Sequence, residues 1–208
     1  MIISMQKEDL CSKFDIPYYS IIQLLPQTQD QQPLNVLIDR SNSNDLILKQ
    51  VPYRIIGNNL AGPQFPWIMK IDYVLNYIDL VCDDAIVTFR GRGLGSYLFN
   101  NVMKIATQSQ FKNFKVKTLK WSYVDEQNDP ENVLRRKRFY SRFGIEFFAT
   151  NNNTTITAQS DSLLRCGQLR TLPPNHLIYK VKEIAVSHIC FPEGPHEWVE
   201  KILLSNQK

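Results

Sequence analysis

Four cysteines, Cys11, Cys82, Cys166 and Cys190, are scattered singly through 208 residues, and none forms a Cys-x-x-Cys pair. That spacing excludes a zinc ribbon and a disulfide framework, and it favours a reducing, cytoplasmic setting. His176, His188 and His196 lack metal-ligand spacing, so no metal is expected. No apolar run approaches the ~20 residues of a membrane span. Residues 1–8 lack a basic segment leading into a long apolar one. Neither a secretory leader nor a membrane partner is therefore expected. An excess of one charge is also missing: 24 Lys and Arg against 20 Asp and Glu leave +4. Such a balance tolerates an anionic nucleotide ligand but does not by itself argue for nucleic acid. No internal repeat is present. What remains is a 43% hydrophobic chain, sufficient for the core of one domain.

Glycine is sparse, at 8 residues, yet three of these fall in Arg90-Gly91-Arg92-Gly93-Leu94-Gly95-Ser96. The stretch follows an apolar run, 71–81. There Ile71, Tyr73, Leu75 and Tyr77 alternate with Val74, Ile78 and Leu80, the pattern of a strand covered on both faces. It opens a helical pattern with Leu94, Leu98, Val102 and Ile105 on one face. Glycines allow backbone N–H groups to approach a ligand closely. The first turn of a helix offers unpaired N–H groups and partial positive charge. Strand, glycine loop and helix start together make an anion site, and Arg90 and Arg92 add formal charge. A Rossmann fingerprint would need glycine at Ser96 or Leu98, and a P-loop would need Gly-Lys-Ser/Thr; neither is present.

The pattern Arg90-x-x-Gly93-x-Gly95 resembles the pyrophosphate loop of the GNAT superfamily of acyl-CoA N-acyltransferases. A second stretch, Phe139-Tyr140-Ser141-Arg142-Phe143-Gly144-Ile145, resembles that family's Phe-Tyr-x-x-x-Gly-Phe, with Ile145 in place of the last Phe. The two stand in the family's order and at about its spacing, and the resemblance covers roughly residues 50–184. It implies an α/β GNAT fold, a mixed central sheet with splayed strands flanked by helices. Residues 1–70 would add N-terminal strands and loops to the same domain. The core would span 71–184, with the cofactor loop at 90–96 and the second motif at 130–147. Residues 185–208 would form a helical extension, docked on the domain or making a homodimer contact.

The resemblance also implies an activity, transfer of an acetyl group from acetyl-CoA to an amine-bearing acceptor. Arg90, Gly91, Arg92, Gly93, Leu94, Gly95 and Ser96 would hold the pyrophosphate. The backbones of Leu80, Val81 and Cys82 would pair with the pantetheine arm. An asparagine that many members keep early in the next helix falls at Val133, with Asn132 one residue away. Tyr140 would protonate the departing thiolate; phenol and thiol pKa values lie close, near 10 and 8.5. Asp79, eleven residues before Arg90, stands where some members carry a glutamate base. A plain packing tyrosine and a plain strand-end aspartate are the alternative readings of these two residues.

Residues 1–70 carry apolar, β-branched stretches at 21–25, 34–38 and 46–56 between proline and polar clusters. The pair of acceptor-site helices that the family usually places there is not evident. Residues 112–117 read as a basic connection and 119–124 as the next strand. Asp129-Pro130-Glu131 starts a helix well, as N-cap, N1 proline and first-turn acid. That helix carries Arg135, Arg136, Lys137, Arg138 and Arg142: a solvated face, a contact for the CoA 3′-phosphate, or a surface for an acidic partner. Gly144 suits the left-handed position after its end. Strands are expected at 145–150, 154–158 and 176–183, a mobile segment around 165–174, and a final helix at 195–204. The runner-up function is a GNAT-fold binding module that uses the basic helix 135–142 for nucleic acid or a protein.

Overall fold

The computed structural model describes residues 10–13, 15–26, 28–29, 32–40, 47–49, 51–55, 68–81, 93–117, 130–149, 156–158, 164–176 and 180–206. They form a mixed α/β fold. After a single helical turn, α1 (Leu10–Lys13), the antiparallel strands β1 (Tyr19–Leu24) and β2 (Leu34–Asp39) pair in unbroken register from Tyr19↔Asp39 to Leu24↔Leu34. Next come β3 (Ile47–Lys49) and β4 (Val51–Ile55), one residue apart. β4 pairs with β2, and β3 pairs with β5 (Ile68–Asp72), so the chain passes from one sheet to the other between them. The expected strand at 46–56 is thus shared by two sheets.

The run 71–81 is not one strand. β5 ends at Asp72 and β6 (Tyr77–Val81) returns antiparallel to it, from Asp72↔Tyr77 to Ile68↔Val81. Asp72 Oδ1 accepts the N–H groups of Val74 and Leu75, both at 2.9 Å, and Asn76 takes φ +54. A short side chain that caps the backbone two residues on, and an asparagine in the left-handed region, outweigh the β propensity of Tyr73, Val74 and Leu75.

From β6 the chain leads to α2 (Leu94–Ala106) and then to β7 (Lys115–Val116), which lies parallel to β6. Residues 112–117 are therefore not merely a connection: their last part is the strand. The expected strand at 119–124 lies outside the described residues. α2 buries Leu94, Leu98, Val102 and Ile105, the expected stripe, together with Phe99, Met103 and Ala106. α3 (Pro130–Ser141) begins at its proline and ends before Gly144, which has φ +83 as expected. β8 (Phe147–Ala149) and β9 (Ile156–Ala158) form a small antiparallel pair.

The segment around 165–174, expected to be mobile, instead contributes to the core. Leu164, Cys166, Leu169 and Leu172 are buried. Backbone bonds run Val116 N to Leu164 O, Cys166 N to Phe114 O and Arg170 N to Phe143 O. The Asn100 side chain, buried on α2, accepts the N–H of Leu172 at 2.7 Å. The segment gains this burial with no more regular structure than one 3-10 turn, Cys166–Gln168.

The closing strand is displaced too. β10 (Val181–Ser187) starts five residues later than the expected 176 and pairs antiparallel with β1. β1 thus lies between β10 and β2 with both faces buried. Ile22, Leu24, Val36 and Ile38 join the main core with β5, β6, α2 and α3. Tyr19, Ile21 and Leu37 face the other way, toward α4 (His196–Ser205) and Phe191. Tyr19 stacks on Phe191 at 5.4 Å and meets Trp198 at 6.4 Å. Aromatic pairs of this kind add about 0.5–1.5 kcal/mol each beyond their buried area. The C-terminal helix docks on the domain, covering the back of β1 and β2. No helix among the described residues is long and apolar enough to cross a membrane.

Candidate functional site

In the β6–α2–β7 unit a helix joins two parallel strands. Gly93 is the residue before α2, with φ +85 and ψ −3, and its carbonyl accepts the Tyr97 N–H at 2.9 Å. Among the described residues no side chain caps the helix, and no acidic residue stands in its first turn. The N–H groups of Leu94, Gly95 and Ser96 have no partner within the helix by geometry. They face an end where the macrodipole favours an anion. Such a start fits a phosphate chemically, and the first turn has no carboxylate to compete with it. Cys82, Arg90, Gly91 and Arg92 lie outside the described residues.

Gly93 is wedged against the beginning of β10. A Cβ on it would lie 2.8 Å from Lys180 Cβ and 3.4 Å from Val181 Cγ2. Lys180 is therefore beside the helix start, an exposed cation that sequence spacing does not reveal because 87 positions separate it from Gly93. Only the antiparallel docking of β10 on β1 brings it there.

One turn into α2, Tyr97 Oη donates to Glu183 Oε2 at 2.8 Å. Burial, followed by the Glu183 carboxylate, pushes the Tyr97 phenol up to about 12. Behind this pair lies Arg40, 2% exposed. Its Nη1 donates to Pro17 O at 3.1 Å and Ser20 Oγ at 3.0 Å, while Nε has no hydrogen-bond partner among the described residues. Burial holds the guanidinium below its ordinary pKa, and Tyr97, Cys11, Glu183 and Asp39 act against that.

The two candidate catalytic groups occupy different faces of β6. Leu80 and Ile78 are buried in the main core, the cluster to which Tyr140 belongs. Tyr140 is 6% exposed and meets Phe99 edge-on at 5.5 Å and Phe139 at 5.1 Å. Asp79 falls between Ile78 and Leu80, so alternation turns it to the opposite face. There it is partly exposed, with Lys117 Nζ 3.8 Å from its Oδ2. Val81 pairs with Ile68 through the backbone. Asn132 is in the first turn of α3, and its side chain lies outside the described residues. Arg135 and Arg138 on the same helix, and Arg142 just beyond its end, are exposed. The described residues contain no group of three or more His, Cys, Asp or Glu that could hold a metal ion.

No protein-family model matches the chain, and comparison with curated proteins and with solved structures gives no significant match.

Proposed function

We propose that this chain is a GNAT-fold N-acetyltransferase that moves an acetyl group from acetyl-CoA to a primary amine by direct attack. The observation that carries this reading is the β6–α2–β7 unit. A left-handed glycine leads straight into a helix with no side-chain cap among the described residues, and the strands before and after that helix pair in parallel. β6 pairs with β7 at Tyr77 and Ile78, with Lys117 N bonded to Ile78 O at 2.8 Å. Leu80 and Val81, at the other end of β6, are the part closest in sequence to the glycine turn.

When bound, acetyl-CoA supplies an activated thioester. The N–H groups of Leu94, Gly95 and Ser96, with Arg90 and Arg92, would hold its diphosphate, and Leu80, Val81 and Cys82 would align the pantetheine arm. Asp79 would accept the proton that an ammonium acceptor must lose before attack. Tyr140 would give a proton to the leaving thiolate. An acid and a base on opposite faces of a sheet can serve one acyl carbon only where the strands part, which is what separation of β6 and β7 beyond Ile78 would provide. The rate would come chiefly from positioning and from backbone N–H groups polarising the carbonyl.

A second reading draws on a specific observation: Asp79 is turned toward Lys117, away from Tyr140. A binding module with the same fold, using exposed Arg135, Arg138 and Arg142, would need no base. Calorimetric titration with CoA, followed by turnover with a panel of amines, separates these. Heat and turnover support the enzyme. Heat without turnover supports the module, and no heat removes the GNAT reading.

A further inference from the structure

The β5–β6 turn carries three exposed apolar side chains in succession: Val74 is 88% exposed, Leu75 61% and Tyr73 40%. Burying apolar groups is favourable, so three in a row at a tight turn call for a reason. The turn is held firmly, by the two Asp72 bonds and by Lys115 N donating to Asn76 O at 2.9 Å. Tyr73 rests on Phe111 and Phe114, with ring centroids 6.2 and 6.1 Å away. The tip is thus a rigid apolar point.

Cations lie on the β7 side of the turn. Lys115 forms a β-bridge with Arg165, and Arg165 Nη1 donates to Asn113 O at 2.9 Å. Lys112 packs against Gly167, whose Cβ would lie 3.0 Å from Lys112 Cγ. Lys112 and Arg165 are exposed, and neither has an acidic partner among the described ion pairs. Asp72 is the acid at the turn, and its Oδ1 is committed to the backbone.

We propose that this tip is a membrane-surface contact: Val74 and Leu75 enter the interface of an anionic bilayer while Lys112, Lys115 and Arg165 meet its phosphates. Exposed aliphatic side chains with cations along one side fit the two layers of a bilayer surface. A nucleic-acid strand offers phosphates but nothing for Val74 and Leu75 to enter. A peripheral contact requires no spanning helix, so it is compatible with the absence of one.

The experiment is co-sedimentation of the full chain with phosphatidylcholine vesicles, with and without about one-third phosphatidylserine. Binding should require the anionic lipid. The V74S/L75S variant changes only exposed turn positions and should keep the wild-type circular dichroism and melting temperature. It should nevertheless lose at least tenfold in binding. K112Q/R165Q should also lose binding, by roughly fivefold for each charge removed. Three results would each overturn the proposal: equal binding to neutral vesicles, undiminished binding by V74S/L75S, or binding to RNA with none to vesicles. Concentration-dependent dimerisation abolished by V74S/L75S, without vesicle binding, would assign the tip to a second copy instead.

Discussion

Gly93 and Lys180 pack so closely that a Cβ at position 93 would come within 2.8 Å of Lys180 Cβ. The contact fixes the start of α2 against β10, the strand that closes the first sheet. Glycine is demanded twice over at this position, by φ +85 and by Lys180.

Gly93→Ala should therefore destabilise the fold whether or not the loop binds a ligand. Left-handed strain in a residue with a Cβ costs about 1–3 kcal/mol, and the clash adds to it because Lys180 Cβ cannot swing away like a side-chain end. A chain of this size should lose roughly 2–4 °C in melting temperature per kcal/mol. Adding Lys180→Gly should recover the steric part and leave the φ strain. Thermal melts of the single and double variants measure both parts.

A variant that tests ligand binding must avoid that position. Ser96 lies in the first turn of α2, where a carboxylate is favoured by the macrodipole by about 0.3–1 kcal/mol. Ser96→Glu should melt at or slightly above the wild-type temperature. It should also repel a diphosphate held at the same N–H groups, weakening CoA at least tenfold by calorimetry. Unchanged CoA affinity in a stable Ser96→Glu protein would move the cofactor away from this helix.

How far such positions are legible in the sequence depends on whether their cause is local. The α2 stripe, the Pro130 start of α3 and the left-handed Gly144 each follow from residues within a turn or two, and the structure has them where expected. At 71–81 two local signals compete. The alternation of Tyr73, Val74 and Leu75 suggests a strand, but Asp72 and Asn76 are the turn formers that prevail. The contact of Lys180 with Gly93, the bond from Asn100 to Leu172 and the pairing of β10 with β1 depend on long-range docking, and no local pattern encodes them. For the candidate site, the chain signals the turn and the helix start. It does not signal that Asp79 and Tyr140 take different faces, which depends on the register set by the hairpin.

The Tyr97–Glu183 pair makes an alkaline prediction. An unfolded tyrosine titrates near 10, whereas burial and Glu183 raise folded Tyr97 to about 12. Between those values the unfolded chain has released this proton and the folded chain still holds it. Stability must then fall as pH rises, with a slope approaching ~1.4 kcal/mol per pH unit. Below pH 10 both states are protonated and the pair contributes no pH dependence. Cys166, which burial raises from 9.0 to about 12, adds a loss of the same sign that begins one unit earlier. Urea unfolding from pH 8 to 12 should show the combined decline. Tyr97→Phe should remove the part above pH 10 and leave the earlier part, at a cost near 1 kcal/mol at neutral pH for the lost hydrogen bond. A Tyr97→Phe profile identical to wild type would show that the phenol is not held by burial and Glu183.

Tyr140 can be separated into its ring and its hydroxyl. The ring lies among Phe99, Phe139 and the rest of the core, so Tyr140→Ala should cost about 3–5 kcal/mol, the usual loss for a large buried aromatic. Loss of activity in that variant would say nothing about chemistry. Tyr140→Phe keeps the shape and the edge-on contact with Phe99, and should cost no more than about 1–1.5 kcal/mol. If the hydroxyl supplies the proton to the leaving thiolate, this stable variant should lose about 10²–10⁴-fold in kcat. CoA affinity should hold, since no binding contact is assigned to the oxygen. Circular dichroism melts, CoA calorimetry and steady-state turnover on the same preparation resolve the three quantities. Full turnover by Tyr140→Phe would reduce Tyr140 to a packing residue and leave the protonation of the thiolate to solvent.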